Sequence, residues 1–131
     1  MFKKIDHVEI IPRDFARTMK FYTDVLGFSV RQREVVGRAP LEEVVYLELG
    51  GTVVELMSVT DPAPSSPDPW AADPWAAGYR MIALEVDDMD EAIEYLKGKG
   101  VEPSRAPVNL GWSKRAEIKD PDGLSIELRQ W

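Results

Sequence analysis

The chain carries an internal repeat, and that repeat limits the folds open to it. Leu47-Glu48-Leu49-Gly50-Gly51-Thr52-Val53-Val54-Glu55-Leu56 and Ile118-Lys119-Asp120-Pro121-Asp122-Gly123-Leu124-Ser125-Ile126-Glu127-Leu128 both read as strand, glycine turn, strand, with a Glu-Leu pair closing the second strand. Upstream of each lies a strand and then an amphipathic helix. The first strand of the first half carries His7, the only histidine of the chain. Its counterpart in the second half is Met81. A duplicated module with Glu55 and Glu127 at matching places predicts a site built where the halves meet.

Periodicity fills in the module. Lys4 to Ile11 alternates as a strand that Pro12 ends, with His7 and Glu9 on one face. Asp14 can cap a helix running to about Leu26, with Phe15, Met19, Tyr22 and Leu26 on one stripe and Gly27 as its stop. Strands follow at Phe28–Val36, Val44–Leu49 and Thr52–Val59. In the second half Tyr79–Val86 reads as a strand, and Asp88 with Glu91 starts a helix through Lys97 in the manner of a capping box. Arg115–Lys119 and Leu124–Arg129 form the closing hairpin across Asp-Pro-Asp-Gly. A short strand before Pro103 or around Val108 completes the pattern, which is then βαβββ twice. The expected organisation is one module over residues 1–60, a linker over 61–78, and a second module over 79–131. The fold class is α+β, the two modules forming a curved mixed sheet around a cleft.

The linker, Asp61 to Gly78, holds five of the ten prolines and a tandem repeat, Asp68-Pro69-Trp70-Ala71-Ala72 and Asp73-Pro74-Trp75-Ala76-Ala77. It reads as a stiff spacer whose tryptophans pack on the domain edge, or as a lid that places an indole over a ligand.

Composition excludes several classes of function. A net charge of −7 argues against a nucleic-acid backbone or an anionic membrane as partner, since both need clustered cations. There are no cysteines, so disulfides, thiolate metal sites and cysteine nucleophiles are out. No apolar run reaches the length of a membrane span, and Met1-Phe2-Lys3-Lys4 leads into Ile5-Asp6-His7 rather than the apolar core of a signal peptide. The expectation is a cytoplasmic protein with a small-molecule partner.

Strand alternation then sorts the faces. With Val45, Leu47 and Leu49 and with Leu124, Ile126 and Leu128 under the helices, the opposite faces carry Tyr46, Glu48, Val53, Glu55 and Met57, and Ser125, Glu127 and Arg129. Arg115, Glu117 and Lys119 share a face by the same count. A face this polar is either solvated, as is usual for antiparallel sheets, or lines a cavity. His7, Glu55 and Glu127 form a competent ligand set for Zn, Ni, Mn, Co or Fe. A metal there acts as a Lewis acid on a carbonyl or enediolate oxygen, while Glu55 or Glu127 moves the proton. For each of these residues alone, a satisfied strand histidine or a solvated carboxylate is the simpler reading.

Four segments carry a family resemblance: Ile5-Asp6-His7-Val8, Phe21 to Phe28, Tyr79 to Asp88, and Asp120 to Leu128. Together they resemble the vicinal oxygen chelate superfamily, the glyoxalase, bleomycin-resistance and extradiol-dioxygenase group, over nearly the whole chain except the linker. The resemblance implies metal ligands on the first and last strands of each module, which are His7, Glu55, Met81 and Glu127. Met81 is the departure, because the family usually has histidine there and a thioether is a poor ligand for such dications. Extradiol dioxygenases, fosfomycin-modifying transferases and the methylmalonyl-CoA epimerase branch expect that histidine. A glutathione-dependent glyoxalase usually carries arginine where this chain has Ile11.

The reading that results is a glyoxalase-like, divalent-metal-dependent lyase or isomerase acting on a small carbonyl or enediolate-forming substrate, with its metal site weakened by Met81. The alternative is a metal-free binding protein of the bleomycin-resistance type. The expected substrate contacts are Tyr46, Glu48, Met81, Trp70, Trp75, Trp112 and Arg115.

Overall fold

Two tight hairpins organise the chain. At Leu49-Gly50-Gly51-Thr52 both glycines have positive φ, +55° and +81°, the conformation a two-residue turn needs to match strand twist. At the second turn Asp120 replaces backbone partners with its side chain. Its Oδ1 accepts from the amides of Asp122 and Leu124, each at 2.9 Å, and Gly123 at φ +85° closes the loop.

The computed structural model describes residues 1–65, 68–71 and 73–131, and the chain divides into two compact units, Met1–Ser65 and Ser66–Trp131. Ser66, Pro67 and Ala72 of the expected linker lie outside the described residues. The first unit comprises β1 (Val8–Ile10), α1 (Phe15–Lys20) running into a π-helical turn (Phe21–Val25), β2 (Ser29–Arg38), β3 (Leu41–Leu49) and β4 (Thr52–Val59). The second comprises β5 (Ile82–Glu85), α2 (Met89–Gly98), β6 (Arg105–Asn109), β7 (Lys114–Lys119) and β8 (Ser125–Gln130). The sheets run β1-β4-β3-β2 and β5-β8-β7-β6, and in each the first strand is parallel to the last while the other pairs are antiparallel. This is βαβββ twice, the expected α+β fold, with one four-stranded mixed sheet per unit.

Helix starts follow the sequence. Asp14 caps α1 by accepting from the Arg17 amide at 3.0 Å, and Asp88 caps α2 from Glu91 at 2.9 Å. The first helix, expected to run unbroken to Leu26, instead widens after Lys20. The Thr23 hydroxyl donates to the Met19 carbonyl at 2.9 Å, competing for a helical acceptor, and the Leu26 amide reaches back to Phe21 O at 3.2 Å. Tyr22 is fully buried at the widened turn, in edge contact with Phe28.

Cores lie on the faces the alternation assigns. Val45, Leu47, Val54 and Leu56 are buried in the first unit, and Ala116, Ile118, Ile126 and Leu128 pack with Met89, Ile93 and Leu96 in the second. Truncating Leu47 or Leu56 to alanine would cost about 2–5 kcal/mol. The edge strands β1 and β5 are shorter than the Lys4–Ile11 and Tyr79–Val86 expected, because each ends where its pairing with β4 or β8 ends. No helix of the described residues is long and apolar enough to cross a membrane.

Candidate functional site

Register defines the site positions. Glu9, Glu55, Tyr46 and Gln32 lie in one row across the first sheet, and Ala83, Glu127, Glu117 and Arg105 form the equivalent row of the second. His7 stands two residues before Glu9 and Met81 two before Ala83, so the expected equivalence of His7 with Met81 and of Glu55 with Glu127 holds in the strand pairing.

In the first unit these residues converge. His7 Nε2 lies 3.0 Å from Glu55 Oε2 and 3.4 Å from Glu9 Oε1, and its Nδ1 lies 2.9 Å from Asp6 Oδ2. Ligand atoms of His7, Glu9 and Glu55 all lie within 4.8 Å of one another. Tetrahedral donors at ordinary Zn–N and Zn–O bond lengths sit about 3.4 Å apart, so the two distances from Nε2 suit a shared cation. Asp6 completes the arrangement from behind. A carboxylate accepting from Nδ1 fixes the tautomer that leaves Nε2 free to ligate. Without a cation, the hydrogen bonds to Asp6 and then Glu9, assisted by the charge of Glu55, raise the His7 pKa above its ordinary value. Glu55 is buried, and its negative charge foremost raises the pKa of Tyr46, whose phenol hydrogen-bonds it. Tyr46 also meets His7 edge-on, with ring centroids 6.0 Å apart. Glu48, another expected contact, lies on the same sheet face opposite Val53.

The second unit places different chemistry at the same positions. Glu127 Oε1 is 2.8 Å from Arg115 Nε and 3.0 Å from Arg129 Nη2. Arg115 Nη2 donates to Glu117 Oε2 at 2.8 Å, and the Trp70 indole N–H donates to Glu117 Oε1 at 2.9 Å. Glu117 is only 1% exposed, so these partners are what make a buried carboxylate tolerable. Arg105 stacks on Trp70 with its guanidinium carbon 3.6 Å from the ring centre, and Arg80 lies 4.6 Å from that ring and 5.2 Å from Trp75. Arg129 also donates to Ser113 at 2.8 Å.

Of the expected site residues, His7, Glu55 and Tyr46 form one cluster and Trp70, Arg115 and Glu127 belong to one hydrogen-bonded network. Met81 is half-buried just before β5. Trp75 is 77% exposed and touches the network by its edge contact with Trp70, while Trp112 is 70% exposed in the turn between β6 and β7. Sequence reasoning passed over Asp6 and Glu9 as ligand-set members, although Glu9 shares the face of His7. It also passed over Arg105 and Arg80, which no sequence signal marks, and Glu117, for which face alternation gave the only signal.

Comparison with known proteins fits this geometry. The family model described as Glyoxalase/Bleomycin resistance protein/Dioxygenase superfamily matches residues 4–128. The uncharacterized protein YaeR of Escherichia coli (strain K12) is 38% identical over 128 residues, covering 96% of this chain and 95% of its own. A lactoylglutathione lyase of Neisseria meningitidis is 32% identical over 129 residues, covering 95% and 88%. The human mitochondrial methylmalonyl-CoA epimerase is 29% identical over 135 residues, covering 97% and 73%. Among solved structures, the glyoxalase family protein from Enterococcus faecalis superposes with a TM-score of 0.79 at 30% identity, covering 98% of each chain.

Proposed function

The chain belongs to the Glyoxalase/Bleomycin resistance protein/Dioxygenase superfamily, and from that premise we propose that it is a divalent-metal-dependent lyase or isomerase acting on a small, enediolate-forming carbonyl compound. The observation that carries this reading is the convergence of His7 with Glu55 and Glu9, backed by Asp6. Among the candidate metals, an imidazole with two carboxylates suits Zn, Ni, Mn, Co or Fe. Bound there, the metal would polarise a substrate carbonyl as a Lewis acid. Glu127 is the carboxylate that the family pattern adds to the set. To join it, Glu127 must exchange Arg115 and Arg129 for the cation, so Glu9 is the less costly third donor.

The residues divide the remaining work. Glu55 or Glu127 takes the proton from the carbon beside the carbonyl; returning it to the same carbon gives epimerisation, and returning it to the former carbonyl carbon, with the hydroxyl proton passing between the two enediolate oxygens, gives isomerisation of the hydroxycarbonyl. Tyr46, kept protonated beside Glu55, turns its one O–H from Glu55 to a substrate oxygen when substrate binds. Glu48, Met81, Trp70, Trp75, Trp112 and Arg115 are assigned to substrate contact, and the working form is assigned as a cytoplasmic homodimer.

The test is exchange of the substrate's α-hydrogen in heavy water, across a panel of hydroxycarbonyl compounds and thioesters, with metal-stripped and metal-loaded protein. Metal-dependent exchange that disappears in His7→Asn is the expected result. No exchange with any compound, combined with no metal uptake, overturns the reading. A second reading, a metal-free small-molecule binder, is favoured by Met81 and by the engagement of Glu127 with two guanidiniums. It predicts saturable ligand binding that His7→Asn leaves unchanged.

A further inference from the structure

The network around Trp70 holds more positive charge than its hydrogen bonds account for. Arg80, Arg105 and Arg115 gather about one indole and one buried carboxylate, Glu117. That carboxylate already accepts from Arg115 and from Trp70. Arg105 comes no nearer to it than 3.8 Å. The Nε and Nη2 atoms of Arg80 are buried with no hydrogen-bond partner, a costly state for donors on a cation. Lys119 is taken up by Asp68 at 3.5 Å, and Glu127 by Arg115 and Arg129.

Stacking determines what these guanidiniums still offer. An indole covers the flat face of Arg105 and leaves its in-plane N–H edge open, the edge that matches a carboxylate or phosphate in a two-pronged contact. Arg115 spends Nε and Nη2 on Glu127 and Glu117, and its Nη1 is left over. Both arginines line a cavity of about 340 Å³ whose other walls are Ala106, Val108 and Ala116. Two charged donors among small apolar residues suit a compact organic anion.

We propose that this cavity of the second unit binds the oxyanion group, carboxylate or phosphate, of a small organic acid, held by Arg105 and Arg115, with the positive charge of Arg80 on the same indole adding to the attraction. The proposal deepens the reading above, which assigns Arg115 to substrate contact, and uses none of the proposed metal ligands His7, Glu9 and Glu55. Metal-stripped protein therefore tests the anion contact without the metal.

The experiment is calorimetric titration of the metal-stripped protein at low ionic strength, with inorganic phosphate in one arm and butyrate in the other. Saturable binding in at least one arm is expected, and the arm that binds names the head group. Arg105→Gln, a change at a half-exposed side chain, should weaken binding at least tenfold. Arg33→Gln, which removes an arginine on β2 of the first unit, should leave it unchanged. Heats no larger than those of chloride at matched ionic strength, or undiminished binding in Arg105→Gln, would overturn the proposal. Arginine Nε–H resonances of the unaltered protein provide a second measure that needs no variant. They should move saturably with the same anion, and their failure to move is equally decisive against it.

Discussion

Glu55 and Glu127 occupy the same register position in two equivalent sheets, yet Glu55 faces the imidazole of His7 while Glu127 faces the guanidiniums of Arg115 and Arg129. One duplicated carboxylate keeps a neighbour that can ligate metal, and the other is neutralised from within. The difference tracks a single position. Where the first half has His7, the second has Met81, which brings neither a ligating nitrogen nor a charge. A partly buried carboxylate still needs a cation near it, and Arg115 and Arg129 provide one.

The first prediction follows from that contrast. Glu9→Gln should weaken binding of Zn or Mn by about tenfold or more, as loss of a ligand from a small donor set does. Glu127→Gln should change it less, because Glu127 is already engaged. Met81→His should raise affinity if the two halves contribute to one centre. Calorimetric titration of the three variants beside the parent protein checks all of this, and equal losses in Glu9→Gln and Glu127→Gln would restore the family's ligand pattern.

The second prediction concerns pH. Hydrogen bonds that the His7 ring donates to Asp6 and Glu9 raise its pKa in the folded protein. Protonated His7 therefore stabilises the metal-free fold fully below the unfolded value of about 6.5, and that contribution is lost as pH rises through the higher folded value. Metal needs the deprotonated ring, so its affinity should fall as pH is lowered through the same raised value, with about one proton released per ion bound near it. His7 is the only histidine, so its ring C–H resonance needs no assignment. A midpoint at or below about 6.5 in metal-free protein would contradict the expected shift.

The repeat made much of the fold legible. Gly50-Gly51 and Asp120-Pro121-Asp122-Gly123 mark turns by local chemistry, so the strands around them emerge with nearly the right bounds, and β4 at Thr52–Val59 emerges exactly as expected. Caps at Asp14 and Asp88 are local in the same way. What depends on partners was harder to read. The ends of β1 and β5 are set by β4 and β8, and the widening at Phe21–Val25 arises from the Thr23 hydroxyl rather than from any break in the apolar stripe. The site shows the same division. Glu55 and Glu127 stand out because they recur in the repeat, and His7 because it is the only histidine of the chain. The pairing of Arg115 with both glutamates, and the descent of Trp70 onto Glu117, depend on strand register and loop path that no periodicity encodes.

The third prediction tests the buried carboxylate. Glu117→Ala leaves Arg115 without one of its two anions and the Trp70 N–H without an acceptor, at 1% exposure. Unfolding stability in urea should fall by about 3 kcal/mol, the scale for breaking a buried pair by removing one partner. Glu117→Gln keeps an acceptor for the indole and should cost less. A loss under about 1 kcal/mol in the alanine variant would mean that Arg115 transfers fully to Glu127.

The last prediction separates the two linker tryptophans, which the tandem repeat makes look alike. Trp70 donates to Glu117 and carries Arg105 on its ring, whereas Trp75 is 77% exposed and donates its backbone amide to Asp73. Trp70→Phe keeps an aromatic face for Arg105 but removes the indole N–H, leaving one Glu117 oxygen short of a donor. That should cost about 1 kcal/mol, the net worth of a typical hydrogen bond. Trp70→Ala removes the stacking surface as well and should cost more. Trp75→Ala should stay within about 0.5 kcal/mol of the parent, as surface substitutions usually do. Urea melts of the three variants give the order directly. Equal effects at the two positions would mean that the linker is held by its prolines and Asx turns rather than by the indole of Trp70. Both copies have those turns, since Asp68 and Asp73 each accept from the amide two residues on, at 2.9 and 3.0 Å. The unequal outcome would place the anchoring energy in the hydrogen bond to Glu117 and the close Arg105 stack of Trp70, since Trp75 has only the looser approach of Arg80 at 5.2 Å.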